Sequence, residues 1–355
     1  MATISLCMIV KNEEAVLARC LDSVADLMDE IIIVDTGSTD RTKEIAANYT
    51  SMVYDFPWQD DFSAARNFSF SKATMDYIYA PDADELLDEE NHKRFSDLKQ
   101  TLLPEIEIVQ MLYHTVSEYN TVLNVQKEYR PKLFKRVRTF QWMDPIHETV
   151  RTSPVIFDSD IEILHMPQNF HHKRDFSIFL KAYQRDGMLS EKIWRMYAKE
   201  LLKLGDKKDF TDALPLFLSV YETTENADLK KEAACVLARS YRLSNDTDGF
   251  FSLALKDMIT TPCSEICYEL GCYFKGKENY DEAVMWFYNA AFETESILDI
   301  HTSGNLPLNE LADCYDTLLA HTRDLEPWET MKIDYYEEQA DAYRIQAKEW
   351  KMPEV

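Results

Sequence analysis

Glycine is scarce in this chain: there are seven among 355 residues, and Gly37 stands alone before Gly187. Neither a GxGxxG dinucleotide fingerprint nor a GxxxxGK[ST] phosphate loop can therefore lie in the first half, which argues against NAD(P) dehydrogenases and P-loop nucleotidases. Positive charge is also short. Lys and Arg total 38 against 63 Asp and Glu, a net charge of -25, which disfavours a broad polyphosphate or anionic-membrane surface and nucleic acid as a partner. Any anion must be held locally, by a metal or a few cations. Long apolar runs are missing too: MATISLCMIVKNEE carries no basic leader and only a short hydrophobic stretch, so it reads as a first strand in a chain without a membrane span, expected to be cytoplasmic. The seven cysteines are an odd number scattered through apolar segments, and Cys263, Cys267 and Cys272 lack a second cluster at zinc spacing, which reads as reduced core residues.

What is present begins as an α/β pattern. Ile4 to Val10 is a continuous apolar run, as in a parallel strand covered on both faces, and Lys11, Asn12, Glu13 and Glu14 follow at its carboxyl end. Val16, Leu17, Cys20, Leu21 and Val24 then recur at helical spacing. A second buried strand, Glu30 to Asp35, ends in an acid followed by the glycine turn TGSTD and a helix to about Asn48.

The stretch around which the chain is organised is Tyr77 to Leu87, YIYAPDADELL. A short apolar strand delivers Asp82, Ala83, Asp84 and Glu85 to the carboxyl edge of an open α/β sheet, where ligands bind. Two carboxylates one residue apart on a turn offer hard oxygen ligands to Mg2+ or Mn2+, and a sheet without a glycine cradle needs such an ion to neutralise a diphosphate. A solvated acidic turn is the alternative.

Met52 to Asp55 reads as a short strand. WQDDFSAARNFSFSKAT reads as a helix that Ser63 could cap, with Arg66 and Asn67 early in it, placed for a phosphate or sugar hydroxyl or for an ion pair with Asp60 or Asp61. Asp88 to Leu102 is a polar helix, and Glu107 to Thr115 and Asn124 to Arg136 are strands, the second carrying Tyr129, Arg130 and Lys132. Phe140 to Val150 places Trp142, Asp144, His147 and Glu148 in a loop that Pro145 keeps irregular; Trp142 fits either a sugar platform or a core aromatic. Ile161 to Met166 is a last strand, in which His165 fits either a satisfied structural histidine or a ligand beside the acidic turn.

Taken in order, ISLCMIVKNEE, EIIIVDTGSTDRT, FSAARNFSFSKA, YIYAPDADE, PIHE and ILHM resemble a family 2 glycosyltransferase of GT-A fold, in the branch with tetratricopeptide repeats appended, over about residues 1 to 170. The resemblance implies an α/β GT-A domain, Rossmann-like with a mostly parallel sheet, at residues 1–175. It implies that Asn12, Glu13 and Asp35 line the nucleoside pocket, that Asp82 lies near ribose and diphosphate, and that Asp84 holds Mn2+ or Mg2+. Arg66 and Asn67 would contact the donor's diphosphate or sugar, His165 would be a further metal or diphosphate contact, and Glu148 would be the catalytic base. Many relatives draw that base from an aspartate on another loop, which leaves the assignment open.

From about Phe176 strand patterns give way to helical spacing, with Asp186 and Gly187 as a break. Residues 268–293 resemble a tetratricopeptide repeat through Leu270, Gly271, Phe274, Ala283, Phe287 and Ala290. Leu237, Ala238 and Tyr241 fall about one repeat earlier, a weaker copy lies around Tyr197, Ala213 and Phe217, a later one begins at Leu311, Ala312 and Tyr315, and Trp328 to Trp350 suits a capping helix. Residues 176–355 are thus expected to form an all-α repeat domain, either a concave surface for a peptide or protein or a platform for packing and homodimerisation. The reading is a metal-dependent inverting glycosyltransferase taking a nucleotide sugar, UDP-linked, to a peptide or protein side chain. The alternatives are a cell-surface polysaccharide or glycan enzyme, a catalytically silent adaptor, and a nucleotidyltransferase, whose first loop would want more lysine and glycine.

Overall fold

The computed structural model describes residues 1–115, 127–138, 140–147, 149–150, 154–166 and 172–351. The chain divides into two compact units, Met1–Ile193 and Trp194–Val355.

The first unit is built on an eight-stranded sheet. Its strands are β1 (Ile4–Val10), β2 (Glu30–Asp35), β3 (Val53–Asp55), β4 (Tyr77–Tyr79), β5 (Glu85–Leu86), β6 (Ile108–Thr115), β7 (Lys127–Lys135) and, later in the chain, β10 (Ile156–His165). They lie in the order β3-β2-β1-β4-β7-β6-β10-β5. β3, β2, β1 and β4 run parallel, with Val10 beside Asp35; β7 is antiparallel to both β4 and β6, and β5 is antiparallel to β10. A small hairpin of β8 (Trp142–Met143) and β9 (Thr149–Val150) stands apart.

The hydrophobicity of β1, interrupted only by Ser5, has the expected cause. Ile4, Leu6, Met8 and Val10 enter one core and Cys7 enters another on the opposite face, because strand side chains alternate and both faces are covered. The covering helices are α1 (Leu17–Asp22), α2 (Thr42–Ala46), α3 (Phe62–Phe70) and α4 (Glu89–Thr101). The cap of α3 corrects the sequence reading. Asp61, not Ser63, is the N-cap, its Oδ1 accepting from the Ala64 amide at 3.0 Å and from the Ser63 hydroxyl at 2.7 Å. With Asp61 as the cap, Arg66 falls in the second turn of the helix.

α5 (His172–Asp186) belongs to the first unit although helical spacing begins there. Lys181 Nζ meets Asp60 at 2.9 Å, and the Arg174 guanidinium lies over Phe62. It ends where Gly187 takes φ +73, a backbone position that favours glycine. The chain then continues in helices α6 (Glu191–Leu204), α7 (Lys207–Thr223), α8 (Ala227–Ser244), α9 (Thr247–Thr260), α10 (Ser264–Lys275), α11 (Tyr280–Tyr288), α12 (Asn305–Leu325) and α13 (Thr330–Glu349).

The repeat positions do the packing in the second unit. Leu270, Ala283, Phe287 and Ala290 are buried, as are Leu237, Ala238, Tyr197, Ala213, Phe217, Leu311, Ala312 and Tyr315. Gly271 lets α10 approach α11: a methyl group there would lie 2.5 Å from Phe287 Cδ1. Among the described residues no helix is long and apolar enough to cross a membrane.

Candidate active site

The carboxyl ends of β1, β2 and β4 meet on one edge of the sheet. β2 and β4 flank β1, so their exits are separated by two strand spacings, roughly 10 Å, about the size of a nucleoside.

At the β2 exit Asp35 is 2% exposed, and its Oδ1 accepts from the amides of Gly37 and Ser38, both at 3.0 Å. Its Oδ2 is buried without a hydrogen-bond partner among the described residues. Asn12 takes φ 56, which asparagine tolerates, and locks the β1 loop to the β2 loop: its amide donates to Ser38 Oγ at 2.9 Å and its Oδ1 accepts from the Thr39 amide at 2.8 Å. The Glu13 amide donates to Thr42 Oγ1 at 2.7 Å. The Glu13 carboxyl is pushed up to about 7, first by burial and then by the charge of Asp84.

That turn is fixed from the side of β10. β5 pairs antiparallel with β10, setting His165 opposite Glu85, and the Met166 amide donates to the Asp84 carbonyl at 3.1 Å. His165 Nε2 is consequently 3.2 Å from Asp84 Oδ2, and both side chains remain partly open. The His165 ring rests on Tyr113, with centroids 5.1 Å apart, and its Nδ1 is buried without a partner among the described residues.

Asp82 is neutralised by protein cations. Arg66 Nη2 donates to its Oδ1 at 2.8 Å, and Lys132 Nζ lies 3.7 Å from Oδ2 while donating to Glu85 Oε1 at 2.5 Å. Desolvation acts to raise the Asp82 carboxyl, but Lys132 and Arg66 outweigh it and hold the group well below the usual range. Glu85 has the opposite balance. Burial, with Asp82 and Asp84 nearby, lifts it to about 7 against the pull of Lys132.

Asp82, Asp84, His165, Arg66, Glu13 and Asp35 therefore lie at one sheet edge. Asn67 lies close by but binds the backbone of Trp142, donating to its carbonyl at 3.0 Å and accepting from its amide at 2.8 Å. The geometry gives it a bracing role. Trp142 is a core aromatic, not a sugar platform: it is 8% exposed, packed on Phe70 and Phe134, with the Arg66 guanidinium 5.0 Å from its ring. Glu148 lies outside the described residues; the loop before it is tied to α3 by a bond from the Phe62 amide to the Pro145 carbonyl at 2.9 Å.

Lys132, Tyr113 and Arg130 were not marked as site residues by the sequence reading. The signal was there for Lys132, a lysine two residues before Phe134 and therefore on the buried side of a strand, where unpaired cations are rare. Arg130 stacks on Tyr113, its Cζ 3.9 Å from the ring centroid.

The donor set fits a divalent cation. Ligands at about 2.1 Å and right angles on one octahedral ion stand about 3 Å apart, close to the observed 3.2 Å between Asp84 and His165. Two ligands leave most of the shell for phosphate oxygens and water.

Comparison with known proteins identifies residues 5–164 with the glycosyl transferase family 2 model. A TPR repeat-containing protein of Synechococcus elongatus is 39% identical over 154 residues, 43% of this chain and 36% of its own length. The SPbeta prophage-derived glycosyltransferase SunS of Bacillus subtilis is 38% identical over 108 residues, 28% of this chain and 24% of its own length. The chain thus matches about a third or less of these two relatives. A glucosyl-3-phosphoglycerate synthase of Mycobacterium tuberculosis, solved with Mg2+ and UDP, is a remote structural likeness with TM-score 0.39 and 17% identity, covering 54% of this chain and 81% of its own.

Proposed function

We propose, for a chain that carries a glycosyltransferase family 2 domain at residues 5–164, a metal-dependent inverting transfer of a sugar from a UDP-linked donor to a peptide or protein side chain. The observation that carries this reading is the Asp84–His165 pair at 3.2 Å beside the Arg66, Lys132 and Asp82 cluster. Such an edge combines a place for a hard cation with fixed positive charge where a leaving diphosphate would develop negative charge.

Mn2+ or Mg2+, held by Asp84 and His165, would offset charge on the departing diphosphate. The chain's own residues orient the donor. Asp35 Oδ2, buried and lacking a protein donor among the described residues, suits a base N–H or a ribose hydroxyl. Arg66 and Lys132 keep Asp82 ionised next to the diphosphate position, and Asn67 fixes the backbone of Trp142, over whose ring the Arg66 guanidinium lies. Inversion requires a base on the face opposite the leaving group, and Glu148 is the proposed residue. The helical second unit would bind the acceptor. Its cavity of about 480 Å³ is lined by Lys203, Lys207, Arg239, Arg242 and His301 together with Asp206 and Asp299, so local charge there, rather than the chain's net acidity, would select an acceptor segment.

Calorimetric binding of UDP, GDP, CDP and TDP with and without Mn2+ tests the donor assignment; failure of all four to bind would leave the adaptor reading in its place. Asp84→Ala should abolish metal-dependent donor hydrolysis while the circular dichroism spectrum stays native, and retained turnover would refute the metal assignment. Glu148→Gln should lower kcat by about 100-fold or more with donor affinity preserved, as expected for loss of a general base.

A further inference from the structure

A second cluster of ligating groups lies within the helical unit, away from every residue assigned above. Cys235, in the middle of α8, comes against Cys263, the N-cap of α10, with their sulfurs 3.6 Å apart. Glu265, in the first turn of α10, brings a carboxylate oxygen so that the three ligand atoms lie within 4.8 Å of one another. All three residues are at most 1% exposed.

The carboxylate is unusual in its environment. Glu265 Oε1 accepts from the amides of Ile297, Leu298 and Asp299 at 2.8, 2.7 and 3.0 Å, which anchors the side chain. Its Oε2 is buried without a hydrogen-bond partner among the described residues. A carboxylate oxygen enclosed this deeply and left unmatched costs free energy unless a cation or donor reaches it.

We propose that Cys235, Cys263 and Glu265 form a structural site for a thiophilic divalent cation of the Zn2+ class. Tetrahedral coordination with Zn–S bonds of about 2.3 Å separates two sulfurs by about 3.8 Å, near the 3.6 Å observed and far beyond a disulfide bond. The two sulfurs and Glu265 Oε2 supply three donors, Oε1 being already engaged by three backbone amides. On binding, each thiol releases its proton to solvent as its sulfur takes the metal. The negative charge that accumulates sits at the N-terminus of a 12-residue helix, where the backbone dipole is favourable. Because Cys235 and Cys263 lie on helices 28 residues apart, no sequence spacing announces the site, and the expectation of purely core cysteines arises for that reason. The bound ion would clamp α8, α10 and the loop before α12 together.

The test uses the full chain, reduced, freed of metal with a chelator and titrated with Cd2+. Thiolate-to-cadmium charge-transfer absorption reports sulfur ligation alone, so an ion held by Asp84 and His165 makes no contribution. One equivalent of this signal is expected, with a raised Tm for the Zn2+ form; Cys263→Ser should abolish the signal and Glu265→Gln should weaken binding by roughly 10-fold or more. Absence of the band in the wild-type chain, a band unchanged in Cys263→Ser, or recovery of Cys235 and Cys263 as a disulfide would overturn the proposal. If Cys263→Ser does not fold, Glu265→Gln and the chelator-dependent Tm of the wild-type chain decide it: equal affinity in the variant, or a Tm indifferent to chelator, counts against the site.

Discussion

Lys132 shows how one side chain sets the state of several others. Its ammonium, 6% exposed, is shared between Glu85 at 2.5 Å and Asp82 at 3.7 Å. Removing one partner of a buried pair leaves an uncompensated charge, so Lys132→Ala should destabilise the protein by about 3–5 kcal/mol at pH 8. The deficit must depend on pH. Glu85 titrates near 7 in the folded protein, above its ordinary value of 4.5, so its proton contributes stability that is complete below 4.5 and lost as pH rises through about 7. Without Lys132 the carboxyl rises further, and at pH 6 it can neutralise itself by protonation. Urea unfolding of wild type and Lys132→Ala at pH 6 and pH 8 should show the smaller difference at pH 6; an equal difference would mean that Glu85 stays ionised.

At the scale of elements, the sequence discloses what local chemistry fixes and hides what pairing fixes. β1 and β2 were legible because their apolar runs have one meaning in a covered sheet, and Asp82 and Asp84 because they follow such a run directly. β5 was not, since two residues acquire strand character only by pairing with β10, more than seventy positions later, and that pairing is what brings His165 to Asp84. The antiparallel placement of β7 between β4 and β6 was hidden for the same reason, and with it the contact of Lys132 with Asp82 and Glu85. Ser63 was misjudged as a cap because Asp61, two residues earlier, competes for the same amides. The repeats were easier to read, since a small residue facing an aromatic is a local requirement of close helix packing. Gly271→Ala checks that requirement. The added methyl would meet the Phe287 ring, which is completely buried and has nowhere to move, so overpacking of about 1–3 kcal/mol should outweigh the gain in helix propensity. A thermal scan is sufficient, and an unchanged or higher Tm would contradict the packing argument.

Over the whole molecule the dominant electrostatic fact is a net charge of -25, which the proposed donor, itself an anion, would have to face. At about 10 mM salt the screening length is about 30 Å, so the entire acidic surface opposes the approach of a nucleotide sugar. At about 150 mM it falls to about 8 Å, and most of that opposition is removed. The attractive charges behave differently. Arg66 and Lys132 are only 11% and 6% exposed, so salt screens them much less once the diphosphate is in place. The two effects have opposite signs, and the numbers favour loss of repulsion. With free Mn2+ held constant, KM for the donor should fall by about two- to five-fold between 10 and 150 mM KCl, while kcat, set after binding, changes little. Initial rates across a KCl series measure this directly. A KM that climbs with salt would mean that the local cations dominate even the approach, and that the donor enters through a channel shielded from the rest of the acidic surface.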